Sequence, residues 1–373
     1  MRISGLVDGG VFCHDMGDVT LLDVTDSVNV RFTVLDAAGT VLNEFTEVYY
    51  PDGAYKVVIR GLDEVMEAYV NKSSVEDMFS PDSMFMDVGG YATLRIEVLG
   101  EADEMTLAAE QRFYQATCVT EVFPAYYKYF LSRFREREVL PCQLLTCGYI
   151  YRGQSLVAGV AWKSDDGATN CRSVDVSSSG VAEGRMVMHQ FKPSFFASKA
   201  GAEVRQLMYV TLELMEGDKR IDYMKMVFDH RRFDTTSFMF KNMFGLLENI
   251  VFTGSNKCTD ELNGSFAWIG RKYRKLYTDL TSTYTVFSGW IDKDTHEAVQ
   301  DLVRSEEVHL SEDFRLGRMV TVVDVDIVRE IGGEKPTNDA ITYRVSDRVQ
   351  SSFSRTRQLG ARVFDDTFDN TFN

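Results

Sequence analysis

Five histidines, His14, His189, His230, His296 and His309, are the side chains best suited to moving a proton near neutral pH. They lie far apart in the chain and none belongs to a His-Glu-x-x-His or comparable ligand pair, so they offer no ready metal or general-base site. The cysteines, Cys13, Cys118, Cys142, Cys147, Cys171 and Cys258, are equally scattered. Only Cys142 and Cys147 are close, and they lack the second pair or histidine partner that tetrahedral zinc requires. They are expected to be buried or half-buried free thiols of a protein assembled in a reducing cytoplasm. No Gly-x-Ser-x-Gly elbow, Gly-x-x-x-x-Gly-Lys phosphate loop or strand-linked Gly-x-Gly-x-x-Gly occurs. Asp324 and Asp326 stand two apart on an expected strand and so share a face, where carboxylates could do acid–base work or hold calcium. The reading adopted is a solvated or lumen-facing strand face. Asp8-Gly9-Gly10 and Asp165-Asp166-Gly167 read as turns, without EF-hand spacing. The expectation is a non-enzyme with no cofactor and no metal.

Two stretches suit binding better than catalysis. Arg271, Lys272, Arg274 and Lys275 surround Tyr273 in the one place where a phosphate or acidic partner could be argued. In a chain of 40 basic and 56 acidic residues, net −16, the patch is read as a local contact with an acidic surface of a neighbouring subunit. The same net charge repels nucleic-acid backbones and anionic lipid, which excludes wholesale binding to either. Phe123 to Phe130 is an aromatic run followed by Arg133, Arg135 and Arg137, a combination that can stack bases but is read here as a core or interface edge.

These residues need elements to hold them. With 373 residues, 45% hydrophobic and 12% aromatic, the chain can bury a sizeable core in two or three domains. Val28, Val30, Phe32 and Val34 alternate with polar residues, which predicts a half-buried strand, and Val41–Tyr50, Tyr55–Arg60 and residues 91–98 continue the β pattern around a short helix from Leu62 to Val70. Strands are expected over 142–162 and 203–214, with Tyr223–Phe228 pairing back across Glu216-Gly217-Asp218-Lys219. The last third adds a helix capped by Asp294 or Thr295, with Ala298, Val299, Leu302 and Val303 inward, then Met319–Val328 alternating and Ala340–Val345 as the closing strand. The fold class is mainly β: two β-sandwich-like modules, 1–115 and 116–235, followed by a β-rich α+β module, 236–373, with an acidic aromatic tail. In that tail Phe368 and Phe372 are candidate anchors for a neighbour. No apolar block follows Arg2 to suggest a signal peptide, and no stretch is long enough to span a bilayer.

Phe244–Gly254, Trp290–Leu310 and Val363–Asn373, with Glu47–Leu62 and Phe130–Phe134 before them, resemble a family of virion structural proteins from tailed phages and prophages of Bacteroidetes. The resemblance implies a tail or baseplate component, similar in layout to distal-tail and tail-tube proteins, whose subunits join in rings inside a virion assembled in the bacterial cytoplasm. The leading expectation is therefore a ring-forming structural protein, joined by β-sheet contacts to copies of itself and to other virion proteins. Asp324 and Asp326 would then face a lumen through which DNA passes without stable binding. The competing expectation is a carbohydrate- or receptor-binding module using Trp162, Trp268, Trp290 or the Tyr126–Tyr129 run as stacking platforms.

Overall fold

A computed structural model describes residues 1–70, 73–82, 84–100, 104–117, 128–177, 180–230, 235–269, 271–327 and 338–346. The chain is mainly β, with four short α-helices among the described residues. The alternation read at Val28–Leu35 becomes a strand whose Val30, Phe32 and Val34 are wholly buried. It lies between Val41–Tyr49 and Tyr91–Leu99 in a five-stranded sheet completed by Met105–Tyr114 and Val11–Phe12. A second sheet, Arg2–Ser4, Val19–Leu22 and Lys56–Ile59, brings Val19, Leu21, Val57 and Ile59 against Val30, Phe32, Leu94 and Ile96. The helix Leu62–Glu67 closes the end of this core through Leu62 and Met66.

The middle of the chain repeats the plan. Ser155–Lys163, Leu207–Glu216 and Lys219–Phe228 pair antiparallel, flanked by Thr169–Asp175 on one side and Glu136–Val139 on the other. This sheet packs on a three-stranded one made from Leu145–Ile150, Met186–Phe191 and Phe85–Gly89. Phe85–Gly89 comes from the first part of the chain, so the N-terminal third contributes a strand to the middle third. The helix Pro193–Ala200, between the stretches expected as strands, begins with proline in its first turn and ends at Gly201 in the left-handed region at φ 75°. Its Phe196 and Ala197 fill the same core.

Leu145–Ile150 and Met186–Phe191 are buried along their whole length. One face of their sheet, Leu145, Cys147, Tyr149, Val187 and Phe191, belongs to the middle core. The opposite face, Ile150, Met186 and Met188, meets Phe12 and Tyr114 from the N-terminal sheet and Met239, Phe244 and Leu246 from the C-terminal part. All three parts of the chain thus converge on one short sheet. Methionine suits this junction because its unbranched, polarisable side chain fills irregular gaps between surfaces of different curvature.

The C-terminal part is a seven-stranded antiparallel sheet in the order Leu247–Phe252, Thr236–Lys241, Val308–Glu312, Arg315–Asp326, Ala340–Val345, Lys272–Phe287 and Asn256–Ile269. The helix Lys293–Arg304 covers it, placing Ala298, Val299 and Leu302 against Phe238, Phe240 and Ile341. Its cap is Asp292, whose carboxylate accepts the Thr295 N–H at 2.8 Å, rather than Asp294 or Thr295. Thr295 is in effect the donor to the cap, and Val303 is only half-buried.

Gly148 shows how closely the junction is packed. A Cβ there would lie 2.4 Å from Leu246 Cδ1 and 3.0 Å from the Val187 carbonyl oxygen. Gly148→Ala is expected to destabilise the protein by about 1–3 kcal/mol through overpacking. Combined with Leu246→Ala, which opens space at that point, it should cost clearly less than the sum of the two single changes in denaturant unfolding. Strict additivity would contradict the close approach of the two segments.

Candidate functional site

The basic patch sits at the end of an arm. Asn256–Ile269 pairs with Lys272–Phe287 along its whole length, but among the described residues Lys272–Phe287 is bonded to the rest of the sheet only from Tyr284 to Phe287, through Ala340–Tyr343. Beyond Thr283, whose hydroxyl accepts from the Arg344 guanidinium at 3.2 Å, the two strands pair only with each other among the described residues. At about 3.3 Å per residue the free ribbon extends roughly 40 Å.

Cross-strand register sorts the side chains at the tip. Phe266 opposes Lys275 and Trp268 opposes Tyr273 on one face, while Ala267 opposes Arg274 and Ile269 opposes Lys272 on the other; Arg271 lies in the turn. The Tyr273 ring stacks on Phe266 at 5.7 Å and 15° and tilts against Trp268 at 5.3 Å. Trp268 is nevertheless 73% exposed and Tyr273 61%. Four cations and a three-ring aromatic cluster therefore share one projecting tip. Arg271, Lys272, Arg274 and Lys275 were identifiable from sequence as a group, whereas Phe266 and Trp268 join them only because the hairpin brings its two strands into register.

Asp324 and Asp326 are exposed on the strand Arg315–Asp326 and share a face, opposite Thr342 and Ala340. The uninterrupted alternation expected from Val320 onward is broken by a bulge at Val323, which shifts the register between Val322 and Asp324. Val320 and Val322 point into the core beside Tyr343, and after the bulge the register places Val325, opposite Ile341, on that side, where Ile327 packs on the core while Val325 is itself exposed. The two aspartates are thus on the sheet face opposite to Val320 and Val322, not on the same one. Phe368 and Phe372, with the tail from Val363, lie outside the described residues, as does the run Phe123–Tyr127.

The histidines are each held by local structure. His14 lies 3.4 Å from Glu67, His230 contacts the Leu207 carbonyl at 2.6 Å, and His309 contacts that of Gly317 at 3.3 Å. His189, 1% exposed, is stacked between Tyr149 and Phe191, and burial pushes its pKa down to about 4. His296 meets Asp339 at 2.7 Å, and Ser288 is nearby, so the fold assembles the residue types of a hydrolytic triad from distant positions. The arrangement is a clamp instead: the Ser288 hydroxyl accepts the Asp339 N–H at 2.8 Å and donates to the Gly289 carbonyl at 2.7 Å, on the aspartate side and not at the imidazole. Among the described residues no three His, Cys, Asp or Glu side chains gather as a metal-ligand set. Cys13 and Cys147 are buried thiols pushed up to about 12 by desolvation, and Cys142 is half-buried; Cys171 and Cys258, expected at least half-buried, are exposed on sheet-edge strands.

Of the alternate arginines after the aromatic run, Arg133 and Arg137 turn into the protein and Arg135 stays exposed. Arg133 holds Asp301 of the C-terminal helix at 3.0 and 3.1 Å, and Arg135 pairs with Asp222. Arg137, 3% exposed, donates to the Thr146 and Asn249 carbonyls and lies 3.9 Å from Glu248. Glu248 also accepts the Ser132 hydroxyl, yet burial outweighs these partners and pushes its pKa up from 4.5 to about 7. Arg133 and Arg137 thus bolt the middle and C-terminal parts together, while Arg135 pairs within the middle part.

No family model matches the chain, and no curated protein matches it. Among solved structures it is similar to the tetra-tandem repeat in the extending region of a large adhesion protein, with 12% identity over 76% of this chain and 69% of that one, at a TM-score of 0.23. Similarity at that level carries no argument about topology or activity.

Glu248 and His189 titrate in opposite senses. Between pH 4.5 and 7 the folded protein keeps a Glu248 proton that the unfolded chain releases, so this contribution to stability is lost as pH rises. Between pH 6.5 and 4 the unfolded chain takes up a proton that folded His189 refuses, so its contribution is lost as pH falls. Glu248→Gln is expected to gain about 1–3 kcal/mol relative to wild type on going from pH 5 to 7.5, and His189→Phe a comparable amount from pH 7 to 4.5, by urea unfolding. Parallel pH profiles for either variant and wild type would contradict these assignments.

Proposed function

We propose that the protein is a non-enzymatic structural subunit that assembles with copies of itself, and, in line with the resemblance noted in its sequence, that the assembly is a ring in the tail or baseplate of a bacteriophage virion. The observation that carries the reading is the arm. An isolated two-stranded ribbon is marginally stable in water, and exposed aromatic side chains at its end add no benefit to a lone monomer. Both features make sense if another protein covers the ribbon. Aromatic residues with arginine are also the side chains enriched at the energetic centres of interfaces.

A receiving surface exists on the same chain. Val41–Tyr49 is the edge strand of the N-terminal sheet; Phe45 and Tyr49 are half-buried against the core, but the rest of its side chains are exposed, with Val41, Leu42 and Val48 open to solvent beside Glu44 and Glu47. Unprotected edges of this kind pair readily with another strand, and the carboxylates complement the cationic tip. A contact between different patches on successive copies closes into a ring when the rotation permits. On this reading Asp324 and Asp326 face the bore, where carboxylates repel the phosphates of passing DNA and prevent it from sticking.

Sedimentation velocity on the full chain, from about 1 to 100 μM, is expected to show discrete self-association that weakens as salt rises from about 0.05 to 0.5 M. Arg271→Glu with Lys272→Glu, Arg274→Glu and Lys275→Glu should return it to monomer without lowering thermal stability, because these side chains are exposed. A wild-type protein that stays monomeric throughout, or a charge-reversed one that associates equally well, would overturn the role of the arm.

A further inference from the structure

Trp290 joins the C-terminal sheet to the helix Lys293–Arg304 and is 80% exposed. The backbone that presents it is closely fixed. Thr253 and Gly254 donate their N–H groups to the carbonyls of Ser288 and Phe287 at 3.2 and 3.0 Å. Gly289 has φ 76°, and a Cβ there would lie 2.6 Å from the Thr253 hydroxyl oxygen. On the other side the Asp292 cap begins the helix. The indole is therefore held out from two anchored segments, a preorganised platform of the kind that keeps the entropy lost on binding small.

Two cavities adjoin it. One, of about 290 Å³, runs inward past Phe134 and Ile250 to Asn249 and Arg137. The other, of about 570 Å³, lies over Gly254, Ser255 and Asn338. Trp290, Thr253 and Glu138 border both. At the inner end Asn249 and Arg137 are 2% and 3% exposed, and Asn249 Oδ1 and Arg137 Nε have no hydrogen-bond partner among the described residues. Both residues line the first cavity, and each carries a polar atom left without a partner in a protein interior where such groups are normally paired.

We infer that the two cavities form one groove that binds a neutral saccharide, with successive pyranose rings packed on either side of the Trp290 indole. The chemistry selects this class. A flat apolar ring matches the C–H face of a sugar, and an amide, a guanidinium, carboxylates and a threonine hydroxyl provide the mixed donors and acceptors that sugar hydroxyls require. Glu136, Glu138 and Asp292 along the rim repel phosphate, sulfate and uronate. A quaternary ammonium would need several exposed rings around it, whereas of the aromatic residues lining the two cavities, Phe134, Phe287 and Trp290, the first is buried and the second half-buried. The arm tip takes no part, so this site and the assembly reading stand or fall separately.

Titrating the full chain calorimetrically with maltose, cellobiose, chitobiose, mannobiose and lactose, and with sialyllactose and a heparin disaccharide as charged counterparts, tests the assignment. At least one neutral sugar is expected to bind saturably with Kd near 1 mM or tighter. Trp290→Ala should weaken it by at least about tenfold while Trp268→Ala leaves it unchanged. Because Trp290 is so exposed, its removal leaves the fold intact, and an unchanged melting temperature checks that. No saturable binding of any neutral sugar by about 10 mM, binding confined to the charged sugars, or binding that survives Trp290→Ala would overturn it.

Discussion

The three-stranded sheet of Leu145–Ile150, Met186–Phe191 and Phe85–Gly89 constrains everything around it, because its first two strands are buried on both faces. A strand in that position has no solvent side. Every residue must suit one of two cores, which is why Tyr149 and Phe191 point one way, Met186 and Met188 the other, and Gly148 supplies the room that Leu246 occupies. The polar groups forced into the same region have to be satisfied internally. Arg137 does this for the carbonyls of Thr146 and Asn249, and Gln190 for that of Met78. The junction thus joins segments more than a hundred residues apart into one body.

That body gives the arm and the Trp290 groove their meaning. A 40 Å ribbon transmits little if its base moves, and here the base is the strand Ala340–Val345, itself packed through Ile341 and Tyr343 into the core under the C-terminal helix. Arg133 clamps this helix through Asp301, and Asp292 at its other end fixes the segment that carries Trp290. The two candidate binding features are therefore mounted on one core, and both expose aromatic side chains. The acidic remainder of the surface leaves the cationic tip as a local exception, suited to meeting carboxylates on another copy.

Much of this could be read from the sequence where burial imposes a pattern. Val28–Leu35, Tyr91–Leu99, the Leu207–Phe228 hairpin and the helix around Ala298, Val299 and Leu302 each have one wet and one dry face, and their periodicity says so. The arm could not be read this way. Asn256–Ile269 is exposed wherever its side chains are described, apart from the half-buried Ala267, so no alternation exists to be seen. The doubly buried strands fail for the opposite reason, since a run such as Met186–Phe191 has no polar face to alternate with. The bulge at Val323 left no sequence signal because valines continue on both sides of it. Arg133 and Arg137 were misleading because charge normally marks a surface, and only the distant partners Asp301 and Glu248 take them inside.

Residue-resolved hydrogen exchange on the isolated protein tests most directly whether one junction holds the chain together and leaves the arm outside it. Amides of Leu145–Ile150, Met186–Phe191 and Leu247–Phe252 are expected to exchange together and slowest, at the rate of global unfolding, while those between Cys258 and Thr283 exchange far faster. Separate exchange rates for the three buried strands, or an arm as protected as they are in the monomer, would contradict the account.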